Sequence, residues 1–389
     1  MPENSIYLDN AATSFPKPEC VYEAMDRYHR ESGVAVGRGA YRQAIEVQAE
    51  VDRCRQRLAQ LLNAENPQRI IFTFNGTDSL NLAIQGVLRQ GDHVITSVIE
   101  HNSVLRPLHE LEREGRIDLT LVPVDQAGVV NPDDYRQALR PHTRLLALTH
   151  ASNVTGAIQP CAEVGQIARA AGAVYLVDAA QTVGHVPIDV RALSADLVAA
   201  PGHKALMGPL GTGFLYIKPG IEQDLRSVRQ GGTGTRSEVE FQPSTLPDKY
   251  EAGNHNAPGL IGLSAALKWR MEQPPAAGQA HEQKLLEHLL NGLKAIPGIE
   301  IHGPLTAAGR VGVVSISLGD QDPQIVATLL DQVAQVQVRS GLHCAPGAHR
   351  ALGTLDRGGT VRFSVGAFTT QRELDVALDA LRQVAENLN

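Results

Sequence analysis

The chain has 389 residues, 43% of them apolar, with 35 Lys+Arg against 42 Asp+Glu and a net charge of −7. That length suits two domains, or one large and one small, and the apolar share is ordinary for a globular protein with a full core. The acidic balance argues against a general nucleic-acid or anionic-membrane binder, and no apolar run approaches the roughly 20 residues of a membrane span. The opening Met1-Pro-Glu-Asn-Ser-Ile-Tyr-Leu-Asp9 lacks the basic start and apolar stretch of a signal peptide, so a soluble, cytoplasmic protein is expected.

In chain order, a short strand is expected at 6–8, and Cys20 and Cys54 fall in helical segments. Short apolar strands follow at 69–74, 93–97, 119–124, 145–149, 174–177, 197–200 and 213–217, alternating with helical stretches such as 77–87. This alternation predicts an α/β fold with a mostly parallel, seven-stranded sheet covered on both faces. A glycine-rich stretch at 231–237 reads as flexible, and a helix at 258–271 runs into a Pro-Pro segment at 273–278. Beyond it, strands at 311–318, 335–339 and 360–365 and helices at 323–333 and 371–388 predict a small α+β domain. The expected division is a large domain over 15–257 and a small one made of 1–14 with 272–389, joined by the helix at about 258–271. Cys20, Cys54, Cys161 and Cys344 form no C-x-x-C pair, so neither a disulfide framework nor a zinc knuckle is indicated.

The chemistry gathers where strands end. Val174-Tyr-Leu-Val-Asp178 is an apolar run closed by a carboxylate, and Leu197-Val-Ala-Ala-Pro-Gly-His-Lys204 one closed by a lysine. Open α/β sheets hold their ligands at the carboxyl ends of strands. A lysine able to form a Schiff base, with an acid placed to pair with a pyridinium nitrogen, is what pyridoxal 5′-phosphate requires. Alone, Asp178 reads equally as a helix N-cap and Lys204 as a surface lysine; together, with Gln181 between them, they favour the cofactor. Gln181 and Asn153 suit its phenolic oxygen, although Asn153 reads nearly as well as a turn residue. Phe74-Asn-Gly76-Thr77-Asp78 joins a strand to a helix whose free N–H groups suit a phosphate, with Thr77 and His203 as further donors. His101, after the strand at 93–97, is placed to stack on a ring and shuttle a proton.

Two further residues come from the second half. Cys344, in Arg339-Ser-Gly-Leu-His343-Cys344-Ala-Pro, is a free thiol in a small-residue loop, where Arg339 and His343 favour the reactive thiolate. A metal held by Cys344, His343 and His349 is the weaker reading, and no metal is expected. Arg362, inside the strand at 360–365, needs an anion, and a substrate α-carboxylate suits its planar fork.

The order of these motifs resembles the class V, fold-type I pyridoxal-phosphate enzymes, and within them the group II cysteine desulfurases, over essentially the whole chain. The resemblance runs from Tyr7-Leu-Asp-Asn-Ala-Ala-Thr13 through Arg38-Gly39, Gly76-Thr77-Asp78, Glu100-His101, Ser152-Asn153, Asp178-x-x-Gln181 and Gly202-His203-Lys204. It continues with Glu251-Ala-Gly253 and ends at His343-Cys344 and Val361-Arg362. It implies that Lys204 holds the cofactor, Asp178 pairs with the ring nitrogen and His101 stacks on the ring. Gln181 and Asn153 would contact the cofactor, and Gly76, Thr77 and His203 its phosphate. Arg362, with Arg339 and Asn153 nearby, would hold the substrate, and Cys344 would accept sulfur. The family also implies a homodimer, L-cysteine or L-selenocysteine as substrate, and a sulfur acceptor protein in sulfur mobilisation such as iron–sulfur cluster assembly. Pro201 departs from a usual phosphate-binding serine, and Asn254 from a threonine that reaches the phosphate of the other subunit. The expected reaction converts L-cysteine to L-alanine with a persulfide on Cys344. A selenocysteine lyase, another C–S lyase, and a cofactor-binding sensor or scaffold without turnover are the alternatives.

Overall fold

The computed structural model describes residues 5–37, 39–274 and 277–388. Residues 1–4 of the expected N-terminal arm, Arg38, and 275–276 of the expected boundary stretch lie outside them. The first half contains β1 (Ile6–Tyr7), α1 (Glu19–Arg27), α2 (Arg42–Leu61), β2 (Ile70–Thr73), α3 (Gly76–Val87), β3 (Asp92–Ser97) and α4 (Asn102–Arg113). It continues with β4 (Ile117–Val122), α5 (Pro132–Gln137), β5 (Thr143–Thr149), α6 (Cys161–Ala171), β6 (Val174–Asp178), β7 (Leu197–Pro201) and β8 (Gly213–Ile217). After α7 (Ala257–Glu272) come α8 (Ala277–Lys294), β9 (Ile299–His302), β10 (Val313–Leu318) and α9 (Pro323–Ala334). The chain closes with β11 (Val336–Gln337), β12 (Arg339–Gly341), α10 (Pro346–Ala351), β13 (Thr360–Ser364) and α11 (Gln371–Leu388).

Seven strands form one sheet in the order β2-β8-β7-β6-β5-β3-β4. β8 runs antiparallel to both its neighbours, and the remaining pairings are parallel. β6, β7 and β8 are buried along their whole length, which is why their sequences are continuous apolar runs rather than alternating ones. One apolar cluster joins the sheet to α2, α6 and α7 through Leu58, Val164 and Leu263; another joins it to α3 and α4 through Ile84 and Leu108. β4 begins two residues earlier than expected and ends before Pro123, which has no N–H to give a ladder.

A four-stranded antiparallel sheet, β12-β13-β10-β9, makes the smaller unit. Leu289 of α8, Leu330 of α9 and Leu381 of α11 pack in its core. β1 pairs in parallel with β11, and Asp9 bridges to Ser364 of β13, so the start of the chain joins this unit. The single strand expected at 335–339 is two. Its apolar pattern is continuous, but its hydrogen-bond partner changes from β1 to β13. Among the described residues no helix is long and apolar enough to cross a membrane.

Candidate active site

The ends of β2, β3, β5, β6 and β7 converge with β12 and β13 on a cavity of about 200 Å³. Gly76, Thr77, His101, Asn153, Asp178, Gln181, His203, Lys204, Arg339 and Arg362 all line it. Asp178 ends β6, and its Oδ1 accepts the Ala180 N–H at 2.9 Å. Burial raises its pKa, against smaller pulls downward from that N–H and from Lys204. A buried carboxyl of this kind gains most from a cationic partner. Lys204 lies in the turn leaving β7, and its Nζ has no hydrogen-bond partner among the described residues. Burial, aided by the Arg362 and Arg339 charges, lowers the Lys204 pKa to about 8 although Asp178 and Cys344 oppose the shift. An amine so placed is available as nucleophile and base.

The N-terminal arm pins this turn. His203 O accepts Ser14 N at 3.0 Å, Thr13 Oγ1 at 3.1 Å and Lys17 Nζ at 2.9 Å, and Lys204 O accepts Ser14 Oγ at 2.9 Å. Gly202 is required in the turn because a Cβ there would stand 2.3 Å from Thr212 Oγ1.

An anion cradle closes one end of the cavity. Asn75 caps α3, its Oδ1 accepting the Asp78 N–H at 2.9 Å, and the first turn of the helix presents Gly76 and Thr77. A Cβ on residue 76 would lie 3.1 Å from Pro201 Cδ, so glycine permits the close approach of β7. Thr77 Oγ1 meets Ser103 Oγ at 2.7 Å, and Ser103 Oγ meets His101 Nδ1 at 2.8 Å. His101 is the N-cap of α4: its Nδ1 also accepts the Ser103 N–H at 3.0 Å. Burial, with Lys204, Arg339, Arg362 and Arg106, lowers its pKa to about 4. The ring is therefore neutral, with its proton on Nε2. His203 Nδ1 is buried without a hydrogen-bond partner. This orphaned nitrogen, a helix N-terminus with a hydroxyl at its mouth, a buried acid and an unpaired lysine fit the phosphate, ring nitrogen and aldehyde of pyridoxal phosphate.

Cys344 does not itself line the cavity; it follows His343, which does, in a tightly held loop. His343 and Cys344 both take left-handed φ values, 48° and 58°, which non-glycine residues adopt only when their surroundings enforce it. Asn153 Nδ2 donates to His343 O at 2.6 Å, and Asn102 N donates to Cys344 O at 2.7 Å. Arg339 Nη2 reaches Cys344 Sγ at 3.6 Å. The expected contribution of His343 to a thiolate fails. Burial first, then Arg362, His349 and Arg339, lower its pKa to about 2, so it carries no charge. Of the two, only Arg339 brings a positive charge to the sulfur. Among the described residues no group of His, Cys, Asp and Glu is arranged to hold a metal.

Arg362 is almost wholly buried in β13. Its Nη2 pairs with Asp9 Oδ1 at 2.7 Å and its Nη1 donates to Asn153 O at 3.1 Å. Sequence reasoning offered only a substrate anion, whereas the chain itself supplies Asp9. Asn153 and Gln181 reach the cavity wall, yet each also ties backbone together; Gln181 Nε2 donates to Ala11 O at 3.1 Å. Asn254 does not line the cavity. It stands in a separate crevice with Phe74, Arg229 and His255. Ser103, Asp9 and Lys17 were missed as site residues. Ser103 carried a signal in its place in the first turn of α4, two residues after His101, and Asp9 in the Tyr7–Thr13 motif.

Known proteins share this sequence pattern and fold. The chain belongs to the class-V aminotransferase family, whose model matches residues 6–376 and whose members depend on pyridoxal phosphate. It is 38% identical over 384 residues to the probable cysteine desulfurase of Methanothermobacter thermautotrophicus, covering 98% of this chain and 94% of that one. It is 31% identical to the cysteine desulfurase of Escherichia coli O157:H7, covering 97% and 93%. The apo cysteine desulfurase of Thermococcus onnurineus NA1 superposes with a TM-score of 0.92 at 32% identity, covering 98% of this chain and 95% of that one. The S-sulfonic acid form of Escherichia coli cysteine desulfurase CsdA gives 0.89 at 30% identity, covering 100% and 96%.

Proposed function

We propose that the protein is a cysteine desulfurase, converting L-cysteine to L-alanine and leaving the sulfur as a persulfide on Cys344. The observation that supports this reading is the meeting of Lys204, Asp178 and Arg339 around one cavity, with Arg339 in turn reaching the Cys344 sulfur. Pyridoxal phosphate, when bound, supplies an electron sink for the pair released at the substrate Cα. Lys204 would hold it, Asp178 would face its ring nitrogen, and Gly76, Thr77 and His203 would hold its phosphate.

The chain's own groups do the rest. Arg362 fixes the substrate carboxylate, with Arg339 beside it. The Lys204 amine takes the Cα proton. His101 presents an Nε2–H donor and cannot serve as a base at Nδ1 without losing its helix cap. Cys344, as thiolate, forms the S–S bond to the substrate sulfur while the C–S bond breaks. The electron pair leaves with the carbon fragment, which is protonated to alanine. The sulfur then passes to an acceptor protein or a reductant. The same reading makes the protein a cytoplasmic homodimer in which Asn254, outside its own cavity, serves the other subunit. The test is product analysis: wild type with L-cysteine and a reductant yields alanine, and pyruvate in its place would refute the desulfurase reading in favour of a β-eliminating lyase.

A further inference from the structure

One buried acid has no part in that chemistry. Glu100 lies between β3 and His101, and its side chain is fully buried. Its Oε1 accepts the Ser97 hydroxyl at 2.5 Å and the Thr149 backbone N–H at 3.0 Å. Ser97 ends β3 and Thr149 ends β5, neighbours in the large sheet. The carboxyl thus staples two strand ends and fixes the turn from which His101 starts α4. Its Oε2 is buried with no hydrogen-bond partner. The titratable groups facing it are Tyr135 of α5, Cys161 of α6, and Tyr175 and Asp178 of β6. None is a cation, and Asp178 is itself an acid. A carboxylate buried there would be an uncompensated charge beside a second one, with one oxygen unsolvated.

We propose that Glu100 is a positioning residue for His101 and works as an uncharged carboxylic acid, leaving Asp178 to carry the negative charge beneath the cavity. The link to His101 rests on the function proposed above; the state of the carboxyl does not. Burial raises the Glu100 pKa to about 8; the Ser97 hydroxyl and Thr149 N–H oppose the shift and Asp178 adds to it. An unfolded Glu titrates near about 4.3. Between these values the folded chain keeps a proton that the unfolded chain has released. Glu100 therefore makes stability fall as pH rises through that window, with no further change above it.

The test compares cofactor-loaded wild type, Glu100→Gln and Glu100→Ala. Tm is followed from about pH 5 to pH 9, and the wild-type minus Glu100→Gln infrared difference is taken at pH 7. Gln keeps an acceptor for Ser97 and Thr149 but cannot ionise. The expected result is a Gln variant that gains Tm on wild type steadily up to about pH 8 and then runs parallel to it. Wild type shows a carboxylic-acid C=O band that the variant lacks. The visible circular dichroism of the bound cofactor survives in Gln and is altered in Ala. A Gln variant whose Tm parallels wild type throughout, without an acid band, overturns the uncharged state. Unaltered dichroism in Ala overturns the positioning role. Failure of wild type to make alanine would sink the proposed function and leave the Tm and infrared outcomes standing.

Discussion

Arg362 offers the sharpest quantitative prediction. It is a fully buried arginine lining the cavity, already paired with Asp9 at 2.7 Å and bonded to Asn153 O at 3.1 Å. Its remaining Nη donors are what a substrate carboxylate would use. A hydrogen bond to a charged group is worth about 1.5–3 kcal/mol, so Arg362→Ala should lower kcat/KM for L-cysteine by about 12- to 160-fold. Arg362→Lys keeps the charge and loses the fork, and should fall between the two. Because Asp9 is left unpaired in Arg362→Ala, Asp9→Asn is the control; it removes the ion pair while keeping the substrate's partner. The assay is steady-state alanine formation, with cofactor absorbance and Tm recorded for each variant. If Arg362→Ala keeps kcat/KM within about threefold while cofactor and fold are intact, the carboxylate is held elsewhere and the assignment is wrong.

Lys204→Ala should abolish the visible absorbance of bound cofactor, and an unchanged spectrum would remove Lys204 from its role. In cofactor-free wild type, the Lys204 pKa of about 8 means that uptake of pyridoxal phosphate should speed up about tenfold per pH unit below that value and level off above it. A flat profile would show the amine to be unprotonated already. Outside the cavity lining, Glu251 accepts Arg55 at 2.7 and 2.9 Å and the Phe72 N–H at 2.6 Å. Burial raises the Glu251 pKa, but Arg55 and His255 outweigh it and bring the value to about 2. The pair's stabilisation is present above the unfolded Glu value and is lost only as pH falls toward 2. Glu251→Ala strands a buried arginine at a cost of about 3–5 kcal/mol. With an unfolding entropy of about 2 cal/mol/K per residue over 389 residues, Tm should drop by about 4–6 °C. A change under one degree would show the pair to be inert.

The sequence made the parallel sheet legible because β6, β7 and β8 are buried on both faces and therefore spelled as unbroken apolar runs. It also put Asp178, Lys204, His101 and Thr77 at or just beyond strand ends, where they line one cavity. What it could not give is pairing between distant segments. That Asp9 neutralises Arg362, 353 residues away, depends on the stretch just after β1 bridging to Ser364 of β13 in the small unit. The split of the 335–339 strand has the same origin, a change of partner that leaves no mark in local periodicity. The state of His343 was misjudged because proximity to Cys344 in sequence says nothing of burial, and burial decides its charge. His101 was expected to move a proton, while its capping bond to the Ser103 N–H assigns the direction in which it can act.

The central claim is that Cys344 takes the sulfur. One turnover of L-cysteine without reductant, followed by mass analysis of the peptide bearing Cys344, tests it most directly. The account predicts one added sulfur atom on Cys344 for each alanine released, and neither product from a Cys344→Ala variant that still binds cofactor. Alanine formation undiminished in that variant, with no sulfur gained in wild type, would contradict it.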